Sequence, residues 1–255
     1  MEETVATYRP SADSGAVIKI TNLVKRFGEK VVLNEFSVDL LRGENLVVLG
    51  RSGSGKSVLI KCVIGLMKPD SGNINVLGED ILSLDHDGLD DIRARVGFLF
   101  QSNALYDSMT VKENLEFPMR RHLKHLEPKE AMDRVMEALE NVGLAHTLDM
   151  MPSELSGGMQ KRIALARTLI LNPEIILYDE PTTGLDPITG KEITLLIKEI
   201  QQKYKTSSII ISHDMKCVKR AADRIAILVN GTCYAIDTYD NLKRSADPDI
   251  NQFFE

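Results

Sequence analysis

The chain has 255 residues, 43% of them apolar and 27% charged, with a net charge of −6; these are ordinary figures for a soluble globular protein with a proper core. The acidic balance argues against a dedicated nucleic-acid binder, whose footprint is a basic excess. Cys62, Cys217 and Cys233 lie far apart with no CxxC pair, which disfavours a disulfide frame or a zinc site, and no run approaches the roughly 18 apolar residues of a membrane span.

Residues 1–15 are polar and open with two glutamates, so they are not a secretory signal and read as a flexible tail, with residues 1–16 set apart from the structured chain. Residues 17–23 are rich in branched side chains and read as a strand. Asn45–Leu49 is an apolar run stopped by Gly50, the pattern of a buried strand. Residues 58–66 carry Leu59, Ile60, Val63, Ile64 and Leu66 at helical spacing. The acidic stretch 85–91 lacks a full calcium-loop pattern and reads as a polar connection. Residues 96–100 read as another strand.

From about residue 102 to 160 the pattern turns helical. Thr110 and Glu113 form a capping box, and Pro128 opens a helix closed by Gly143. Its apolar face holds Met132, Val135, Met136, Leu139 and Val142, with the methionines filling gaps in a core. His122 and His125 are three apart without a further ligand and read as a solvated helix face. Strands at 174–178, 208–211 and Arg224–Val229 then alternate with helices at 190–204 and 215–222. Asn230-Gly231 marks a hairpin turn into 232–236, and a last helix spans 239–244.

Gly50-Arg51-Ser52-Gly53-Ser54-Gly55-Lys56-Ser57 matches G-x-x-x-x-G-K-[ST] at every defined position. Glycines let successive amides turn onto phosphate oxygens, and the helix that follows adds its positive end. Lys56 reaches the β- and γ-phosphates, and Ser57 offers a hydroxyl to Mg²⁺. The strand at 174–178 runs into Asp179 and Glu180, at the strand end where α/β sheets hold ligands. Asp179 suits the Mg²⁺ shell, and Glu180 suits a general base for an attacking water. Ser212-His213-Asp214 is no nucleophilic triad, because adjacent residues cannot converge on one centre.

Leu155-Ser156-Gly157-Gly158-Met159, just upstream of the carboxylate strand, resembles the signature motif of ATP-binding cassette (ABC) ATPases. The resemblance covers residues 17–254. It implies an α/β P-loop NTPase with an N-terminal antiparallel β-subdomain and an inserted helical subdomain carrying the signature, all within residues 17–255. It also implies a homodimer in which Ser156, Gly157 and Gly158 close on ATP held by the other copy. Gln101 matches the Q-loop glutamine that contacts Mg²⁺ or water, Asp186 the D-loop, and His213 the histidine that contacts the γ-phosphate. Phe27 stands where the family places an aromatic on adenine, although tyrosine is commoner there.

Finer similarity links Leu99-Phe100-Gln101-Ser102-Asn103-Ala104-Leu105 and Gly184-Leu185-Asp186-Pro187-Ile188-Thr189 to the Mla/Mce-type phospholipid transport ATPases. It implies a cytoplasmic subunit held on the inner membrane face by an integral permease, with an Mce-domain lipid-binding protein beyond it. An exporter or a polar-solute importer would use the same motor. A non-transport ABC ATPase and a P-loop kinase are further alternatives.

Overall fold

The computed structural model describes residues 15–254. The expected tail lies outside them except at its end, where Ala16 already pairs with Leu41 and so belongs to the first strand.

Two sheets organise the chain. In the first, β1 (Ala16–Phe27) pairs antiparallel with β2 (Lys30–Leu41) on one side and β4 (Ser71–Val76) on the other, and β5 (Glu79–Asp80) completes the order β2-β1-β4-β5. This is the expected antiparallel subdomain, of which the apolar pattern of the sequence announces only β1. β2 is visible in hindsight as the alternation Phe36, Val38 and Leu40, each fully buried, with period two.

The second sheet has the order β10-β9-β3-β8-β7-β6, formed by Thr232–Asp237, Arg224–Val229, Asn45–Leu49, Ser207–Ser212, Ile175–Asp179 and Val96–Leu99. All neighbours are parallel except β10, which folds back on β9. Both faces of a parallel sheet are covered, so its strands read as unbroken apolar runs. Alternate residues of β3 accordingly face different cores: Val47 and Leu49 join the helical side, Leu46 and Val48 the side shared with the antiparallel sheet.

α1 (Lys56–Val63) follows β3, and α2 (His86–Arg95) precedes β6. The acidic stretch 85–91 is therefore the start of a helix rather than a connection. Asp85 caps it by accepting from the Gly88 amide, Ile92 is buried, and Arg93 donates to the Ile64 and Gly65 carbonyls.

The inserted helices are α3 (Val111–His122), α4 (Pro128–Asn141) and α5 (Gly157–Leu169). The Thr110–Glu113 capping box is formed in both directions. Leu115, Leu139 and Ile163 meet in the same core, all fully buried, and cutting any one to alanine costs about 2–5 kcal/mol. Met132 and Met136 are only half-buried and are not among the side chains packed against this core, so they do not fill gaps in it as expected. His122 is the last residue of α3 and His125 lies beyond it, so the two do not share a helix face.

α6 (Pro187–Tyr204), α7 (Met215–Ala221), α8 (Tyr239–Lys243) and the short α9 (Pro248–Asn251) complete the chain. Among the described residues no helix is long and apolar enough to cross a membrane.

Candidate nucleotide site

β3 ends at Leu49 and delivers residues 50–57 as the loop into α1. Gly55 has φ +106°, and a Cβ there would stand 2.7 Å from Val32 Cγ1, so only glycine fits at the turn into the helix. Lys56 is buried and donates through Nζ to the Gly50 carbonyl at 2.8 Å and the Arg51 carbonyl at 2.9 Å. Burial holds its pKa below the usual lysine value, partly offset by Glu180 and Asp179. The lysine thus draws the loop around itself and places its cation at the helix start, where an anion is favoured.

Two strands away, β7 ends in Asp179, and the Ser57 hydroxyl donates to Asp179 Oδ1 at 2.9 Å. Burial is the main force raising the Asp179 pKa, with the Ser57 hydrogen bond acting against it. A hydroxyl and a carboxylate this close are the hard oxygen donors that Mg²⁺ prefers, so these residues fit the ion.

Glu180 sits in the left-handed region at φ 49°, a conformation that costs about 1 kcal/mol or more for a non-glycine residue. Its amide donates to the Ile211 carbonyl at 3.0 Å, which anchors the turn to β8. Its carboxylate is held at both oxygens: His213 Nδ1 lies 3.2 Å from Oε1, and the Thr183 hydroxyl donates to Oε2 at 2.7 Å. Ser212 and Asp214 serve the local backbone instead. Ser212 Oγ accepts from the Asp214 amide, and Asp214 caps α7 by accepting from the Lys216 amide.

The structure therefore gathers Lys56, Ser57, Asp179, Glu180 and His213 at the carboxyl ends of β3, β7 and β8. Phe27 ends β1 and is 49% exposed, with Lys25 Nζ 5.6 Å from its ring centroid. Lys30, Val31 and Val32, just past its hairpin turn, share a cleft with Arg51, Gly53 and Ser54.

Ser156 instead caps α5, accepting from the Met159 amide at 3.3 Å, and among the described residues no hydrogen bond joins residues 156–158 to the loop 50–57. A Cβ at Gly158 would meet Thr189 Cγ2 at 2.6 Å, whereas one at Gly157 would meet nothing within 4 Å. Asp186 caps α6 through the Ile188 and Thr189 amides, and the Thr189 bonds hold its pKa low. Gln101 is exposed two residues past β6, and its carbonyl accepts from Lys161 Nζ at 2.8 Å.

Near the site, Thr183, Arg167 and Gln252 belong to no motif in the sequence, and Lys161 follows directly on the signature stretch. Thr183 orients Glu180 from a sequence distance of three, and Gln252 of the C-terminal turn accepts from Arg51 Nη2 at 2.5 Å. Lys161 and Arg167 of α5 hold the backbone that follows Gln101. Beside that backbone lies an apolar groove of about 350 Å³, lined among others by Leu66, Phe98, Phe100, Tyr106 and Phe117.

The ABC transporter family profile matches residues 33–183. The methionine import ATP-binding protein MetN of Brucella abortus is 39% identical over 89% of the chain, which spans only 61% of that relative's length. The probable ribonucleotide transport ATP-binding protein mkl of Mycobacterium bovis is 36% identical over 98% of the chain and 71% of the relative. Among solved structures, the dimeric ATP-binding cassette MJ0796 in a post-hydrolysis state with ADP and Pi aligns with a TM-score of 0.79. It is 32% identical, over 87% of this chain and 98% of that one.

Proposed function

The chain belongs to the ABC transporter family, and from that premise we propose that it is an ATP-hydrolysing subunit that works as a pair and powers a separate membrane permease. The observation that carries this reading is the division of the site. Lys56, Ser57, Asp179, Glu180 and His213 are gathered at the strand ends, while among the described residues no hydrogen bond joins the start of α5 to the loop 50–57. A second copy supplies the missing half. Gly157, with open space around it, then offers backbone that a phosphate can approach closely.

In this mechanism the amides of the loop and Lys56 bind the phosphates, and Phe27 stacks on adenine. Ser57 and Asp179 would hold Mg²⁺, with Gln101 reaching it from outside; the ion supplies charge neutralisation on the phosphates. Glu180 accepts the proton of the attacking water. His213 contacts the γ-phosphate and, with Thr183, keeps the Glu180 carboxylate aimed. Ser156, Gly157 and Gly158 of one copy close on the γ-phosphate held by the other, with Asp186 at the shared edge. The groove beside Tyr106 and Phe117 receives the permease, which would place the subunit on the cytoplasmic membrane face.

For cargo we propose phospholipid, supported by the motif similarity at 99–105 and 184–189, with an Mce-domain protein as the further partner. Import of a small polar solute is the second reading, favoured by the likeness to MetN. Purification of the complex from detergent-solubilised membranes separates them. An Mce-domain protein with bound phospholipid is the expected result, and a solute-binding protein in its place sinks the lipid reading.

A further inference from the structure

We infer that Lys161 and Arg167, two cations on α5, are positioning residues that clamp the backbone of residues 101–104 and so set where Gln101 presents its side chain. The inference rests on the proposed contact of Gln101 with the nucleotide's Mg²⁺ or water.

Three main-chain carbonyls in four residues are taken by one helix. Lys161 Nζ donates to Gln101 O at 2.8 Å, Arg167 Nη2 to Asn103 O at 3.0 Å, and Arg167 Nη1 to Ala104 O at 2.8 Å. Asn103 and Ala104 both adopt left-handed backbone, with φ 64° and 52°. Such a pair persists only where its surroundings fix it. The guanidinium meets the two adjacent carbonyls with two nitrogens fixed in one plane, a pre-organised geometry that a rotatable ammonium lacks.

Lys161 is buried and Arg167 half-buried, so the arrangement carries a desolvation cost. Lys161 is 2% exposed and among the largest fully buried side chains. Burial drives its pKa down to about 8, and it also pushes that of Arg167 below the ordinary value. A cation that only filled space would be replaced by an apolar side chain at lower desolvation cost. Here both heads are aimed at the same short loop.

The clamp also links three places. Ser156, Gly157 and Gly158 begin α5, Lys161 and Arg167 lie farther along it, and Arg167 sits 5.9 Å from the Tyr106 ring. Arg167, Ala104 and Tyr106 all line the apolar groove. A displacement at the groove or at the start of α5 is therefore passed to Gln101 by a short hydrogen-bonded path instead of being absorbed by a slack loop.

The test compares the full chain with its R167M, R167K, K161M, Q101A and Q101A/R167M variants. Steady-state ATP turnover, affinity for a fluorescent ATP analogue and hydrogen exchange at residues 101–106 are measured for each. For R167M the expected kcat falls about tenfold, because a misplaced group loses its orientation advantage, while the analogue affinity stays within about twofold. Exchange at 101–106 speeds up, R167K lies between parent and R167M, and R167M adds no further loss on the Q101A background. Parental turnover in R167M, or losses that multiply in the double variant, overturns the inference. If R167M does not fold, R167K and K161M carry the same comparison. Parental turnover in Q101A sinks the reading of Gln101 itself, and unchanged exchange in R167K and K161M sinks the clamp.

Discussion

His213 Nδ1 lies 3.2 Å from Glu180 Oε1, across the ends of two adjacent parallel strands. The register that pairs Asp179 with Ile211 carries each residue just past its strand, so the sheet itself brings them together. Thr183 occupies the other carboxylate oxygen. Glu180 and His213 are thus held relative to each other before any nucleotide is considered, the preorganisation that the proposed general base requires.

Glu180→Gln keeps the shape and removes the proposed base. Turnover should fall about a hundredfold or more while ATP binding persists, and the protein should collect as an ATP-bound dimer. Phosphate release and size-exclusion chromatography with ATP read both effects. Turnover at the parental rate shows that Glu180 is not the base.

Lys56→Ala removes the cation at the helix start, where it bonds two loop carbonyls. Losing a charge-assisted contact to phosphate should weaken ATP affinity by about tenfold to a hundredfold. Equilibrium binding of a fluorescent nucleotide measures this. An unchanged affinity removes Lys56 from the phosphate site.

The two signature glycines should behave differently. Gly158→Ala sets a Cβ against Thr189 and should cost about 1–3 kcal/mol of stability, relieved when Thr189→Ser removes the methyl. Gly157→Ala has room in its own chain, so its melting temperature should hold while turnover drops. Full activity in that variant would mean that nothing from a second copy approaches Gly157.

All three cysteines are buried. Burial pushes the thiol pKa up to about 11 for Cys62 and about 12 for Cys233, and raises that of Cys217 as well. Because the folded chain keeps these protons longer than the unfolded one, their contribution to stability is complete below the ordinary thiol pKa. For Cys62 and Cys233 it is lost as pH rises through about 11 to 12. Maleimide at neutral pH should leave the native protein unlabelled and label it three times on unfolding. Rapid native labelling, read by mass spectrometry, counts against this burial.

Local order explains what the linear chain determined. The loop 50–57, the Thr110–Glu113 cap and the turn at Asn230-Gly231 depend on neighbours within a few residues, so their patterns are complete in the sequence. The apolar runs of β3, β7 and β8 likewise announce strands covered on both faces. Other features depend on distant partners. β2 is a strand because β1 pairs with it, and the helix after Asp85 is anchored by carbonyls at Ile64 and Gly65. Thr183 and Gln252 gain their roles only where folding places Glu180 and Arg51 beside them. Nothing in the linear sequence marks Lys161 and Arg167 as cations aimed at a distant loop. Only the tertiary structure turns them inward onto residues 101–104, because an isolated stretch of sequence does not reveal which backbone carbonyls a buried cation will meet.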